Sequence, residues 1–310
     1  MTNSKRARFR LSLLLIALCA ANWAVAASEV ALSLMPDRGD RAIEDDYRVL
    51  TDVAYGPHER QLMDVYLATD VEPLGTKDFT IVFLHGGGFS FGEKAQNERY
   101  INSFLQKGLN VVNLNYRIRE GIPRATEDLT LALKHLRRHN EEYRLRLDNV
   151  VVGGFSAGGQ IASTVGFSQG AAEYPFPLDD GIRIVGVLNI AGPVDRLDIV
   201  EEVFASSDDE GFRLVAANLF PPSSPFTRND TLHIFTPFTY FNDDAPAFLL
   251  WHGGLDDQIP PSTFARFLET LAQSKVAHRV LFDPQWGHSP DNAQLDELFV
   301  EVFRFLDDIR

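Results

Sequence analysis

The chain reads as an α/β protein built on a mostly parallel central sheet with helices on both faces. Three observations lead there. Runs such as Phe79–Leu84, Val150–Val152, Ile184–Ile190 and Ala247–Trp251 are nearly continuous in apolar residues, as strands covered on both sides must be. Stretches with apolar residues at helical spacing stand between several of them. The run at Val150 passes through Gly153-Gly154 into Phe155-Ser156-Ala157-Gly158 and then into a stretch with Ile161, Ala162 and Val165 on one face. Strand–helix alternation of this kind gives a parallel sheet with helical layers above and below.

In chain order, Lys5, Arg6, Arg8 and Arg10 precede the apolar run Leu11–Ala21, and Ala24-Val25-Ala26 is small at the two positions a signal peptidase inspects. The pattern predicts a secretory signal peptide over 1–26. Its apolar run is about half of the ~20 residues a membrane span needs. Leu18 precedes Cys19 where a lipoprotein signal wants a small residue, so neither an anchor nor lipidation is expected. Cleavage after Ala26 leaves 284 residues without cysteine, so an exported protein, periplasmic or extracellular, would rest on its core alone. That length suits one domain, 27–310. The leader carries four basic and no acidic residues, so its loss takes the net charge from −14 to −18. Such a balance argues against nucleic acid and anionic membrane surfaces as partners.

Glu29–Asp45 has no clear period and reads as an arm. Tyr47–Val53 and Leu62–Leu67 alternate apolar with polar, predicting an antiparallel pair, half exposed, at a sheet edge. Phe79–Leu84 and Asn110–Tyr116 follow as central strands. Leu129, Leu133 and Leu136 mark a helix over Arg124–Asn140, with Pro123 at its start. After the strands at Val150, Ile184 and Ala247 come a helical stripe (Phe264, Phe267, Leu268, Leu271), a short strand (Val280–Phe282) and a terminal helix through Leu295, Leu298, Phe299, Val302 and Leu306. One interval breaks the alternation. Residues 195–240 are acidic, aromatic and broken by Pro221-Pro222-Ser223-Ser224-Pro225, and predict a small cap insertion over a pocket.

The chemistry centres on Gly154-Phe155-Ser156-Ala157-Gly158. A strand-to-helix turn this sharp presents the serine hydroxyl in a strained backbone, and the close chain approach needs glycine two before and two after. An alcohol is almost wholly protonated at neutral pH, so Ser156 needs a base, and the base needs a third group to fix its tautomer. Of eight histidines, His288 lies in the turn between the last strand and the final helix, where open α/β sheets bind ligands. Asp256, in the loop after Ala247–Trp251 and spaced from His252-Gly253, is the candidate carboxylate, with Asp257 adjacent as the alternative. His85-Gly86-Gly87-Gly88-Phe89 follows a central strand, and glycines there let backbone N–H groups approach a substrate oxygen. Gly87, Gly88 and the N–H of Ala157 are the candidate oxyanion donors, and His85 reads as a structural tie for the loop.

Serine elbow, glycine loop, and the order Ser, Asp, His together resemble the α/β-hydrolase superfamily over roughly Tyr47–Leu306. The likeness is to carboxylesterases of the hormone-sensitive-lipase-like type and the related acetylxylan/feruloyl esterase-like branch. Asn115-Tyr116-Arg117 and Glu127-Asp128 also resemble the family, with Arg117 as a structural ion-pair residue. The first group places an acidic residue before the nucleophile, whereas Phe155 stands here, which favours the second. The resemblance implies an exported serine esterase for short-chain acyl esters, acetyl or feruloyl esters of polysaccharides among them, with no metal or organic cofactor. An amidase or peptidase using the same relay and a non-catalytic binding protein on a hydrolase body are the rival readings.

Overall fold

A computed structural model describes residues 46–69 and 79–309; the leader at 1–26 and the arm at Glu29–Asp45 lie outside them. Eight strands form one sheet in the order β1-β2-β4-β3-β5-β6-β7-β8. They are β1 (Tyr47–Ala54), β2 (Leu62–Ala68), β3 (Thr80–Leu84), β4 (Asn110–Leu114), β5 (Val150–Phe155), β6 (Ile184–Ile190), β7 (Ala247–Gly253) and β8 (His278–Asp283). The pairings β1–β2 and β2–β4 are antiparallel, and every pairing from β4 to β8 is parallel.

The continuous apolar runs work because the two-residue period serves two cores. Val82, Leu84, Val112, Val152, Val187 and Leu250 point to one face, and Ile81, Phe83, Val111, Val151, Leu188 and Leu249 to the other. On the second face lie α1 (Glu98–Gln106) and the last helix, Asn292–Asp308; on the first lie α2 (Ile122–Arg138) and the helix that follows Ser156.

Three expectations shift, and one helix is new. β2 is mostly buried rather than half exposed, because β4 pairs with it on its inner side. The helix expected over Arg124–Asn140 is Ile122–Arg138: Gly121 (φ +88°) turns the chain, and Pro123 sits in the first turn where no N–H is needed. Phe264 caps its helix rather than entering it. Helix α1 was not foreseen, although Tyr100, Ile101, Phe104 and Leu105 form its buried face.

Between β6 and β7 the long interval folds into Leu197–Ala205, Glu210–Leu219, Arg228–Ile234 and a 3-10 turn, Pro237–Tyr240. Its aromatic residues pack as a cluster: Phe204 against Phe212, and Phe226 against Phe235, which also contacts Tyr174. The Phe235 carbonyl accepts from the buried Gln160 amide at 2.6 Å, tying the insertion to the helix behind Ser156.

Candidate active site

Three loops at the carboxyl ends of β5, β7 and β8 converge. The Nε2 atom of His288 is 3.0 Å from Ser156 Oγ, and its Nδ1 is 2.7 Å from Asp256 Oδ2. Asp256 is buried, and its other oxygen accepts from the amides of Gln258 and Ile259 at 3.0 and 2.8 Å. Three hydrogen bonds of this kind fix a carboxylate's direction. Asp257, the adjacent alternative, is exposed.

The elbow has the geometry its residues demand. Ser156 has φ +53° and ψ −116°, a region that side chains occupy only under strain. A Cβ on Gly154 would fall 2.5 Å from the Gly158 carbonyl carbon, and one on Gly158 would fall 2.4 Å from the Leu84 oxygen. Only hydrogen fits at either place. The following helix, α4 (Ala157–Phe167), counting Asn140–Tyr143 as α3, is buried along its whole length.

The glycine loop lies beside the elbow. Gly87 and Gly88 have φ of +115° and +57°. The amides of Gly87, Gly88 and Ala157 donate to no acceptor among the described residues, and Gly86 packs against Phe155 of the elbow. The loop itself is held from below. His85 is fully buried and stacks on Tyr116 at 4.2 Å. Its Nδ1 donates to the Gly86 carbonyl at 2.6 Å, and its Nε2 faces Arg60 at 3.3 Å. Burial lowers its pKa to about 4, so the ring is neutral and weakly basic, with both nitrogens engaged by the loop and Arg60.

Three neighbours have roles that the sequence alone does not show. His252, wholly buried, donates from Nε2 to the Ile259 carbonyl at 2.8 Å and lies 3.3 Å from Asp256 Oδ2; burial depresses its pKa to about 4. It therefore borders the carboxylate as a neutral ring. Its place four residues before Asp256 was the available signal. Val215 and Asn218 come from α6 (Glu210–Leu219), the insertion's second helix after α5 (Leu197–Ala205). A Cβ on Gly88 would meet Val215 at 2.7 Å, and the Asn218 amide donates to Ser90 Oγ at 3.0 Å. No periodicity pairs a helix with a loop more than a hundred residues away.

Of the aromatic residues near the motifs, Phe89 is buried against Tyr116, Trp286 stacks on Trp251 at 5.1 Å, and Phe155 lies 5.1 Å from the His288 ring. Phe91 is exposed, with the Arg119 guanidinium above its ring. Two open concavities of about 660 and 640 Å³ lie elsewhere, one along β1, β2 and α1, the other at the amino ends of β5, β6 and β7. Neither is lined by Ser156, Asp256 or His288, so they have no part in this relay. Among the described residues no cluster of three or more His, Cys, Asp or Glu side chains has metal-holding geometry.

The chain is similar to esterase LipC of Mycobacterium tuberculosis, 26% identical over 248 residues, covering 77% of this chain and 59% of that one. It is also similar to an acetyl esterase of Salmonella paratyphi A, 28% identical over 217 residues, covering 67% and 61%. The chain thus spans about six-tenths of the length of these relatives. Among solved structures, a truncated carbohydrate esterase from gut microbiota superposes with a TM-score of 0.65 at 20% identity, covering 84% of this chain and 97% of that one. That likeness shows the α/β-hydrolase fold. The BD-FAE family pattern matches residues 63–271, from β2 to the helix after β7, and the chain belongs to the BD-FAE family.

Proposed function

We propose that the protein is an exported serine esterase that hydrolyses carboxylic esters through an acyl-enzyme, with Ser156, His288 and Asp256 as the catalytic relay. The observation that carries this reading is the unbroken path Ser156 Oγ–His288–Asp256, at 3.0 and 2.7 Å, beside three unengaged amides.

Ser156 Oγ attacks the ester carbonyl while His288 Nε2 takes its proton. The buried Asp256 holds the Nδ1–H tautomer and stabilises the imidazolium that forms. Negative charge on the carbonyl oxygen is met by the N–H groups of Gly87, Gly88 and Ala157, each typically worth ~10²–10³ in turnover. His288 then gives its proton to the departing alcohol. Water repeats the sequence on the acyl-enzyme and releases the acid.

The proposed substrates are short-chain acyl esters, acetyl or feruloyl esters of polysaccharides among them. The names of the acetyl esterase relative and the carbohydrate esterase neighbour support this choice, as does Phe155 where an acidic residue is absent. The basic–apolar–small pattern of residues 1–26 supports export, and the acidic balance supports a free protein without nucleic-acid or stable membrane partners.

The test is hydrolysis of acyl esters from acetyl to long-chain, with feruloyl methyl ester, acetylated xylan and one matched ester–amide pair. Ser156→Ala is expected to keep the fold and lose about 10⁴-fold or more in kcat. Turnover retained in Ser156→Ala would remove Ser156 from the mechanism, and an amide cleaved as fast as its ester would replace the esterase reading.

A further inference from the structure

His288 sits in the stretch between β8 and α9 (Asn292–Asp308), the helices Arg228–Ile234 and Ala265–Leu271 being α7 and α8. Among the described residues no main-chain hydrogen bond runs from or to Gly287, His288 or Ser289. A loop without such bonds does not hold an imidazole to a few tenths of an ångström unaided. Asp256 holds its Nδ1 at 2.7 Å, and the flanks of these three residues are supported from two further directions. From β7, Trp251 stacks on Trp286, and the Trp286 carbonyl accepts from the Leu255 amide at 2.8 Å.

From the other side comes the first turn of α1. The Arg99 guanidinium donates to the Pro290 carbonyl and lies 5.2 Å from the centre of the Tyr100 ring. The Tyr100 phenol meets the Ser289 side chain, and burial pushes its pKa up to about 12, so it stays protonated. The Tyr100 ring stacks between Phe83 of β3, at 5.2 Å and 25°, and Phe155, at 5.9 Å and 22°. Phe155 in turn lies 5.1 Å from the His288 ring. A column of rings therefore runs from the central sheet to the imidazole; its Tyr100 meets Ser289, and Arg99 beside it ties down Pro290. The turn is itself rigidly based: Asn97, just before α1, donates to Asn113 of β4 at 2.8 Å, and Lys94 bridges Asp52 and Asp64.

Resting on the serine-esterase reading, we propose that Arg99 and Tyr100 are positioning residues that latch the His288 loop and set the imidazole for proton transfer with Ser156. Neither contacts the reacting atoms. They act by shortening the search of Gly287–Ser289, three residues with no main-chain bonds among the described residues, and a displacement near 1 Å at a reacting group can cost ~10²-fold.

The experiment compares Arg99→Ala, Arg99→Lys, Tyr100→Phe and Tyr100→Leu with the wild type and with Ser156→Ala. Its readouts are kcat, KM, thermal midpoint and the rate of labelling by a fluorophosphonate. Arg99 is exposed, so its removal is not expected to disturb the core. The latch predicts that Arg99→Ala lowers kcat and labelling rate about tenfold with KM and thermal midpoint nearly unchanged. Arg99→Lys, which keeps a donor for Pro290, is expected to recover most of the loss. Tyr100→Phe, with the stack intact, should lose less than Tyr100→Leu. Wild-type kcat in Arg99→Ala and in Tyr100→Leu, beside an inactive Ser156→Ala, would overturn the latch alone. So would kcat losses that follow the thermal midpoint down with no recovery in Arg99→Lys. Turnover in Ser156→Ala would instead overturn the reading on which the latch rests.

Discussion

Ser156 holds a backbone conformation that costs of order 1–3 kcal/mol, and its surroundings leave it no other. Its N–H donates to the Ile190 carbonyl at 2.7 Å, its carbonyl accepts from the Gln160 amide at 3.1 Å, and Gly192 packs against that carbonyl where a Cβ would fall 2.6 Å away. Gly158→Ala places a methyl on the Leu84 and His85 carbonyl oxygens, both backbone, at 2.4 and 2.6 Å. The expected cost is about 1–3 kcal/mol in urea denaturation, accompanied by a loss of turnover as the elbow shifts. At Asp256 the prediction concerns the tautomer. Asp256→Asn keeps the shape but can donate to Nδ1 and favour the wrong imidazole form, so kcat is expected to fall about 10⁴-fold with the fold retained. Asp257→Asn, at an exposed side chain, is expected to leave kcat unchanged, and a parallel steady-state measurement separates the two.

Among elements, α2 and the insertion matter most to the site. Helix α2 is fastened by Asp128, which is fully buried and accepts from the Arg117 backbone at 2.6 Å, the Arg117 guanidinium at 2.6 Å and Gln61 at 2.8 Å. Removing Asp128 leaves the Arg117 guanidinium with Glu127 and takes the buried acceptor from the Arg117 amide and Gln61. Asp128→Ala is expected to cost about 3–5 kcal/mol in chemical denaturation. Arg117 is therefore structural, standing behind the loops rather than in the relay. Helix α6 meets the glycine loop through Val215 on Gly88 and Asn218 on Ser90, whose hydroxyl donates in turn to the Gly88 carbonyl at 3.2 Å. Asn218→Ala removes one hydrogen bond, worth about 1 kcal/mol, from a loop proposed to hold the oxyanion. A fall of about fivefold in kcat/KM with an unchanged thermal midpoint is the expected result.

Across the whole molecule, two buried histidines couple stability to pH. Burial is the largest cause lowering both His85 and His252 to about 4, against 6.5 for a free ring. Between those values the unfolded chain binds protons that the folded protein refuses. Stability therefore rises with pH through this window, is complete above about 6.5, and falls as pH drops toward 4. At pH 5 each ring is expected to have cost about 2 kcal/mol relative to pH 7. Thermal midpoints at pH 7, 6 and 5 check this, and a midpoint that rises on acidification would contradict it. The net charge of −14 adds a counter-trend, since acidification relieves self-repulsion, but buried rings dominate where two of them titrate in one step.

Local chemistry made the elbow legible, because glycine at 154 and 158 and apolar β-branched residues before them admit few backbones. The same holds for the paired cores, since a continuous apolar strand has nowhere to go but between two layers. Helix α1 was equally regular in its spacing yet passed unread, and its importance comes from Arg99 and Tyr100 meeting a loop 189 or more residues away. What the amino-acid order determined by itself was the set of short-range constraints: strand, turn, helix, and which residue types could relay a proton. Which carboxylate faces His288, which helix rests on Gly88, and what steadies the stretch around His288 were decided by tertiary structure. Those contacts join segments that share no periodicity, and only the assembled sheet brings them into contact.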